Sequence, residues 1–162
     1  MTDDLPRSSP ATADSLRGER VLLNCQRSVA VRPGPLSAFF GKACRMVLPP
    51  AAGVAVCLVS DAEIARLNHT YRGKRGPTDV LSFPADGTRG LRRSRAGFHL
   101  GDIAISPSAA RRNARALGRG VEEELRVLIL HGVLHLAGYD HETDQGQMDR
   151  YERRLRARLG IG

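Results

Sequence analysis

HGVLHLAGYDH, residues 131–141, is the stretch on which the reading of this chain turns. His131 and His135 are four residues apart, so on a helix both imidazoles project from one face, one turn apart. The preceding residues support a helix: Leu125, Leu128, Ile129, Val133 and Leu136 recur at helical spacing, and Glu122, Glu123 and Glu124 suit its positive end. His141 lies too far along to be reached by the same helix, since ten helical residues span about 15 Å. Gly138 stands where the chain must stop and turn back, because glycine adopts the left-handed conformation that commonly ends a helix. The pattern H-x-x-x-H-x-x-G-x-x-H therefore predicts two ligands on a helix and a third swinging beneath them. Zinc suits it, one ion per chain, with three imidazoles leaving a fourth position open, the mark of a catalytic site. Nickel and copper also accept three imidazoles.

The residue after the first histidine is Gly132, where a zinc peptidase carries a glutamate as general base. Glycine moves no proton. The stretch thus argues against ordinary zinc proteolysis while keeping the Lewis acid, and a phosphodiester fits as the substrate. Cys25, Cys44 and Cys57 are scattered, with no C-x-x-C pair to complete a site.

The chain has 162 residues, enough for one domain with an ordinary core. No window approaches the length of a membrane span, so no membrane partner is expected. Residues 1–18 are polar and begin with acids; they lack the layout of a signal peptide and read as a disordered leader before a domain at 19–162. Dispersed cysteines without an export signal fit a cytoplasmic location. The net charge is +8, and Lys42 and Lys74 are the only lysines among 25 basic residues. A cationic domain attracts polyanions, RNA or DNA above all, although a charge run is also compatible with a plain solvated face.

Along the chain, strands are expected at 20–26, 53–60, 79–85 and 98–106. Helices are expected at 35–48, entered at Pro35, and after the cap Ser60 or Asp61, with Ile64, Leu67 and Tyr71 as its core stripe. Another follows Ser106 and Pro107, then comes the histidine helix. The last spans 143–160, capped by Thr143 or Asp144, with Met148, Tyr151, Leu155 and Leu159 inward. The fold class is α/β (α+β), a small mixed four-stranded sheet packed with about five helices.

Taken together, LNHTYRGKRGPTDVLSFP (67–84), LGDIAIS (100–106) and HGVLHLAGYDH (131–141) resemble the YbeY family of bacterial endoribonucleases, the rRNA maturation factors, across roughly residues 20–160. One departure is visible: the family loop commonly reads Y-R-G-K-D-K-P-T, whereas this chain has Arg75 and Gly76 in place of the acid and the second lysine. The resemblance implies a metal-dependent endoribonuclease specific for single strands. It implies action on precursor ribosomal RNA, notably the 3′ end of the small-subunit RNA, and in ribosome quality control, with the ribosome or ribosomal proteins as partners. It places the zinc ligands on His131, His135 and His141, and the functional arginine on Arg72. Arginine presents a planar fork that grips two phosphate oxygens and stays charged as negative charge grows. Lys74 and Arg75, and Arg92, Arg93 and Arg95 with Arg89 in the loop 86–97, are candidate contacts to the RNA backbone.

Other residues keep two readings. Asp79 and Asp102 either accept a hydrogen bond from a ligand histidine or cap turns. Asp140 and Glu142 either handle a proton or are solvated. His99 reads as a strand residue and His69 as a helix-surface residue. The attacking group is either water activated by the metal or a ribose 2′-hydroxyl. Two rival functions stand beside the nuclease: a zinc hydrolase of peptides or amides, and a non-catalytic ribosome-assembly factor whose zinc is structural.

Overall fold

The computed structural model describes residues 18–85 and 97–162; most of the expected leader, and Arg89, Arg92, Arg93 and Arg95, lie outside the described residues. Four strands, β1 (Arg20–Asn24), β2 (Ala52–Leu58), β3 (Val80–Pro84) and β4 (Phe98–Ile105), form one sheet in the order β1-β2-β4-β3. β1, β2 and β4 run parallel, and β3 pairs antiparallel with β4 at one edge. Five helices accompany them: α1 (Pro33–Val47), α2 (Asp61–Arg72), α3 (Pro107–Leu117), α4 (Val121–Leu136) and α5 (Gln147–Leu159). The expected mixed sheet of four strands and five helices is what forms. Among the described residues no helix is long and apolar enough to cross a membrane.

Strand alternation divides the core in two. Val54, Val56 and Leu58 of β2 and Ile103 and Ile105 of β4 face α1, α4 and α5, where Phe40, Leu125, Ile129, Leu134 and Met148 are all buried. Ala104 and Leu81 face the other way, onto Ile64 and Leu67 of α2. The histidine helix thus lies against one sheet face and α2 against the other, both beside the β3 edge.

Several boundaries differ from the sequence reading. α1 begins at Pro33, because either proline fits a first helical turn, where an N–H has no partner to lose. Ser60 and Ser106 are the caps expected, accepting hydrogen bonds from the N–H groups of Glu63 and Ala109 at 3.1 Å each. α5 starts only at Gln147: Gly146 takes a left-handed conformation, and Asp144 accepts from the N–H groups of Gly146 and Met148 at 2.7 Å each. Asp144 therefore serves this terminus from outside the helix. Tyr71 does not join the α2 core stripe. Ile64 is buried and Leu67 half-buried, but Tyr71 is 65% exposed, while Asn68 in the last turn of α2 is buried instead.

Candidate metal centre and cleft

α4 ends as its sequence requires. Gly138 is left-handed at φ 99°, and the N–H of Tyr139 donates to the carbonyl of Leu134 at 3.1 Å, closing the helix terminus on itself. The chain then turns under the helix. Asp140 holds that turn: its side chain accepts from the N–H of Glu142 at 3.0 Å and its carbonyl from that of Asp144 at 3.0 Å. His141 is thereby carried back to the helix. Its ring centroid lies 5.5 Å from that of His131 and 5.4 Å from that of His135.

The three imidazoles could hold a metal ion. One nitrogen from each lies within 4.8 Å of the others, and the Nε2 atoms of His131 and His135 are 3.0 Å apart. Two imidazole nitrogens sharing a tetrahedral ion would stand about 3.4 Å apart, from metal–nitrogen distances of about 2.0–2.1 Å, so the spacing fits. The protonation states fit as well. His131 Nδ1 lies 3.0 Å from a carboxylate oxygen of Glu152, on α5. Its N–H donates there, which leaves the lone pair of Nε2 facing His135. Burial, reinforced by His131 and His141, pushes the His135 imidazole below its ordinary pKa and keeps it neutral, as a ligand must be. With the His135 proton on Nδ1 as well, both Nε2 lone pairs are free for a cation; with it on Nε2, that N–H donates to His131 and must be lost before a metal binds.

Glu152 was not foreseen from sequence, although its signal was present. It is adjacent to Tyr151 and one turn beyond Met148, on the inward edge of an arginine-rich helix, where a half-buried carboxylate calls for a partner. The expected candidates behave differently. Asp79 accepts from the N–H of Val80 at 2.8 Å and from Asn113 Nδ2 at 3.0 Å, tying the start of β3 to α3. Asp102 lies 3.0 Å from His99, an exposed pair on β4. Neither meets a histidine of the trio.

Gly132 also has its explanation here. A Cβ at this position would lie 2.8 Å from Cγ2 of Ile103, and the residue's carbonyl accepts from Ser82 Oγ at 3.3 Å. On the facing strand, a Cβ at Gly101 would meet Leu136 at 2.7 Å. α4 is pressed onto the sheet at these two glycines. Position 132 faces Ile103 in the core, so any side chain there would have to displace it.

The trio lines an open cleft of about 1100 Å³. β3 and the turn 138–142 form much of its wall, and the end of α2 contributes Tyr71, Arg72 and Lys74. Arg72 and Lys74 are exposed and share the cleft with the histidines; Arg75 is exposed but is not among the lining residues. Asp79, Asp102, Asp140 and Glu142 also line it, so the cleft carries both signs of charge.

The family model described as Endoribonuclease YbeY matches residues 36–160. Curated relatives bear that same name. The protein of Solibacter usitatus is 40% identical, covering 84% of this chain and 86% of its own length. That of Koribacter versatilis is 48% identical over 67% of this chain and 65% of its own, and that of Aquifex aeolicus 50% over 55% and 56%. Among solved structures, the solution structure of TM1509 from Thermotoga maritima matches with a TM-score of 0.58 at 28% identity, covering 86% of this chain and 88% of that one. A three-histidine turn built by α4, a cleft shared with the end of α2 and a family match over most of the domain agree: the chain belongs to the YbeY family of endoribonucleases, which are nucleases and hence hydrolases.

Proposed function

We propose that this chain is a zinc-dependent endoribonuclease that cuts single-stranded regions of precursor ribosomal RNA, in maturation of the small-subunit 3′ end and in ribosome quality control. Ribosomal components are then its partners and the cytoplasm its location. The observation that carries this reading is one cleft holding three convergent imidazoles together with Arg72 and Lys74.

His131, His135 and His141 would hold the zinc ion, with Glu152 fixing the His131 ring. Bound there, zinc would supply Lewis-acid polarisation of a phosphoryl oxygen and would lower the pKa of a water toward about 7. Arg72 grips non-bridging phosphate oxygens with two N–H groups and stabilises the negative charge that grows on them. Lys74 adds attraction for the backbone. The carboxylates of Asp140 and Glu142, which also line the cleft, repel phosphate and so oppose the attraction of Arg72 and Lys74. They also stand where a proton can be accepted.

The edge position of β3 among the described strands, along the cleft, favours a second reading, a zinc hydrolase of peptides or amides, because an edge strand can pair with an extended peptide. It lacks the proton carrier that such chemistry uses beside the first histidine, since position 132 faces Ile103.

The test is cleavage of an unstructured RNA by the zinc-loaded protein, with metal content measured alongside. His135→Ala should lose both metal and cleavage. Arg72→Ala should keep the metal and the fold but cleave about a hundredfold more slowly, the cost typical of one pre-organised charge-stabilising donor. Zinc-loaded wild type that turns over peptides and leaves RNA intact would reject the nuclease reading. Full activity in Arg72→Ala would remove that arginine from the mechanism.

A further inference from the structure

The chain has four phenylalanines, three tyrosines and no tryptophan, and three of these aromatics line the cleft: Tyr71, Phe83 and Tyr139. Two of them are engaged elsewhere. Phe83 packs with the α2 cluster, and Tyr139 lies against Tyr151 with ring centroids 5.2 Å apart. Tyr71 is different, with 65% of its surface open. Helical spacing places it with Ile64 and Leu67, yet it stays outside their buried cluster, and among the described residues its ring meets Phe83 of the edge strand β3 in an edge contact at 5.2 Å and 66°. Such a contact orients the ring and covers at most one of its faces. Tyr71 thus gives the cleft lining an open aromatic surface, next to Arg72 and three residues before Lys74, which follows the left-handed Gly73.

We propose that Tyr71 is a stacking subsite for one unpaired nucleobase, flanking the phosphate held by Arg72; the assignment rests on the RNA reading above. A nucleotide chain alternates phosphate and base, so a guanidinium beside an aromatic face matches its repeat. Every base has a π-face, and stacking on an aromatic side chain tolerates sequence. In a duplex those faces are already covered by neighbouring bases. The subsite therefore makes the cleft select single strands, which its charges alone cannot do, because phosphates are present on both.

The absence of tryptophan makes a direct test possible: Tyr71→Trp installs a sole indole at the subsite. The full-length zinc-loaded variant is mixed by stopped flow with a short oligoadenylate RNA, and emission is read before cleavage. Saturable quenching is expected with the oligoadenylate, and none with an abasic ribose-phosphate strand or a blunt RNA duplex of equal length. In filter binding, Tyr71→Ala should weaken oligoadenylate affinity about five- to hundredfold, with Tyr71→Phe within about twofold of wild type and the salt dependence unchanged. Binding of RNA without quenching overturns the subsite and leaves the RNA reading standing. Equal losses in Tyr71→Phe and Tyr71→Ala overturn it too, by assigning the effect to the hydroxyl. Failure of the wild type to bind any RNA overturns both. The quenching experiment stays decisive even where Tyr71→Ala fails to fold.

Discussion

Two helices deliver side chains to the cleft, and both stop on a left-handed glycine, Gly73 after α2 and Gly138 after α4. The likeness ends there. α4 is buried along most of its length, is pressed against β4 at Gly132, and has His131 braced by Glu152 of α5. The end of α2 is exposed: Tyr71, Arg72 and Lys74 all face solvent, and the turn is held by backbone bonds from Gly73 and Lys74 and by Asn68, whose Nδ2 donates to the carbonyl of Gly76 at 3.0 Å. The difference suits the two tasks. Three ligands must converge on one point within a few tenths of an ångström, which needs a rigid frame. A phosphate-gripping arginine works over a longer range and must yield to a strand entering the cleft.

The two walls should differ most in how they hold the metal. His135→Ala should reduce zinc retention after dialysis to background, and Arg72→Ala should leave it at the wild-type value; equal retention in the two variants would erase the distinction between the walls. Next comes the brace. Glu152→Ala should raise the zinc dissociation constant about 10- to 100-fold by calorimetric titration, as loss of a carboxylate behind a ligand histidine typically does, and Glu152→Gln, which keeps an acceptor, should recover part of it. Unchanged affinity in both variants would mean that α5 contributes nothing to the centre.

Paired glycine substitutions sharpen the contrast further. Gly132→Ala forces a methyl group against Ile103 and should cost about 1–3 kcal/mol of stability in chemical denaturation, the range for overpacking. Gly73→Ala meets nothing within 4 Å and suffers only its left-handed φ of 64°, a cost of about 1 kcal/mol. A reversed order would show that the helix–sheet contact is loose. The smallest effect belongs to Arg72→Ala, whose melting temperature should match the wild type, and a clear drop would reveal a structural role for that arginine.

Much of the fold could be read from local pattern. Ser60 and Ser106 announce helix starts, Gly138 announces a stop, and the near-continuous apolar run of β2 announces a central strand. The same rules erred where tertiary placement overrides period. Tyr71 is on the helical stripe but outside the buried α2 cluster, and the helix expected from Thr143 waits until Gln147 because of Gly146. Of the cationic residues expected to meet RNA, Arg72 and Lys74 reach the cleft wall, Arg75 does not, and Arg92, Arg93 and Arg95 lie outside the described residues.

The histidine trio was legible in the chain alone, because all three imidazoles fall within eleven residues and one helix, one glycine and one turn bring them together. Only the tertiary structure decided that Glu152 stands behind His131, that Ile103 occupies the space a glutamate at 132 would need, and that Tyr71 is left uncovered in the cleft. The reason is one of range: backbone periodicity and capping act over a few residues, whereas these contacts join segments about twenty or more positions apart, set by how α4 and α5 pack and where the sheet ends.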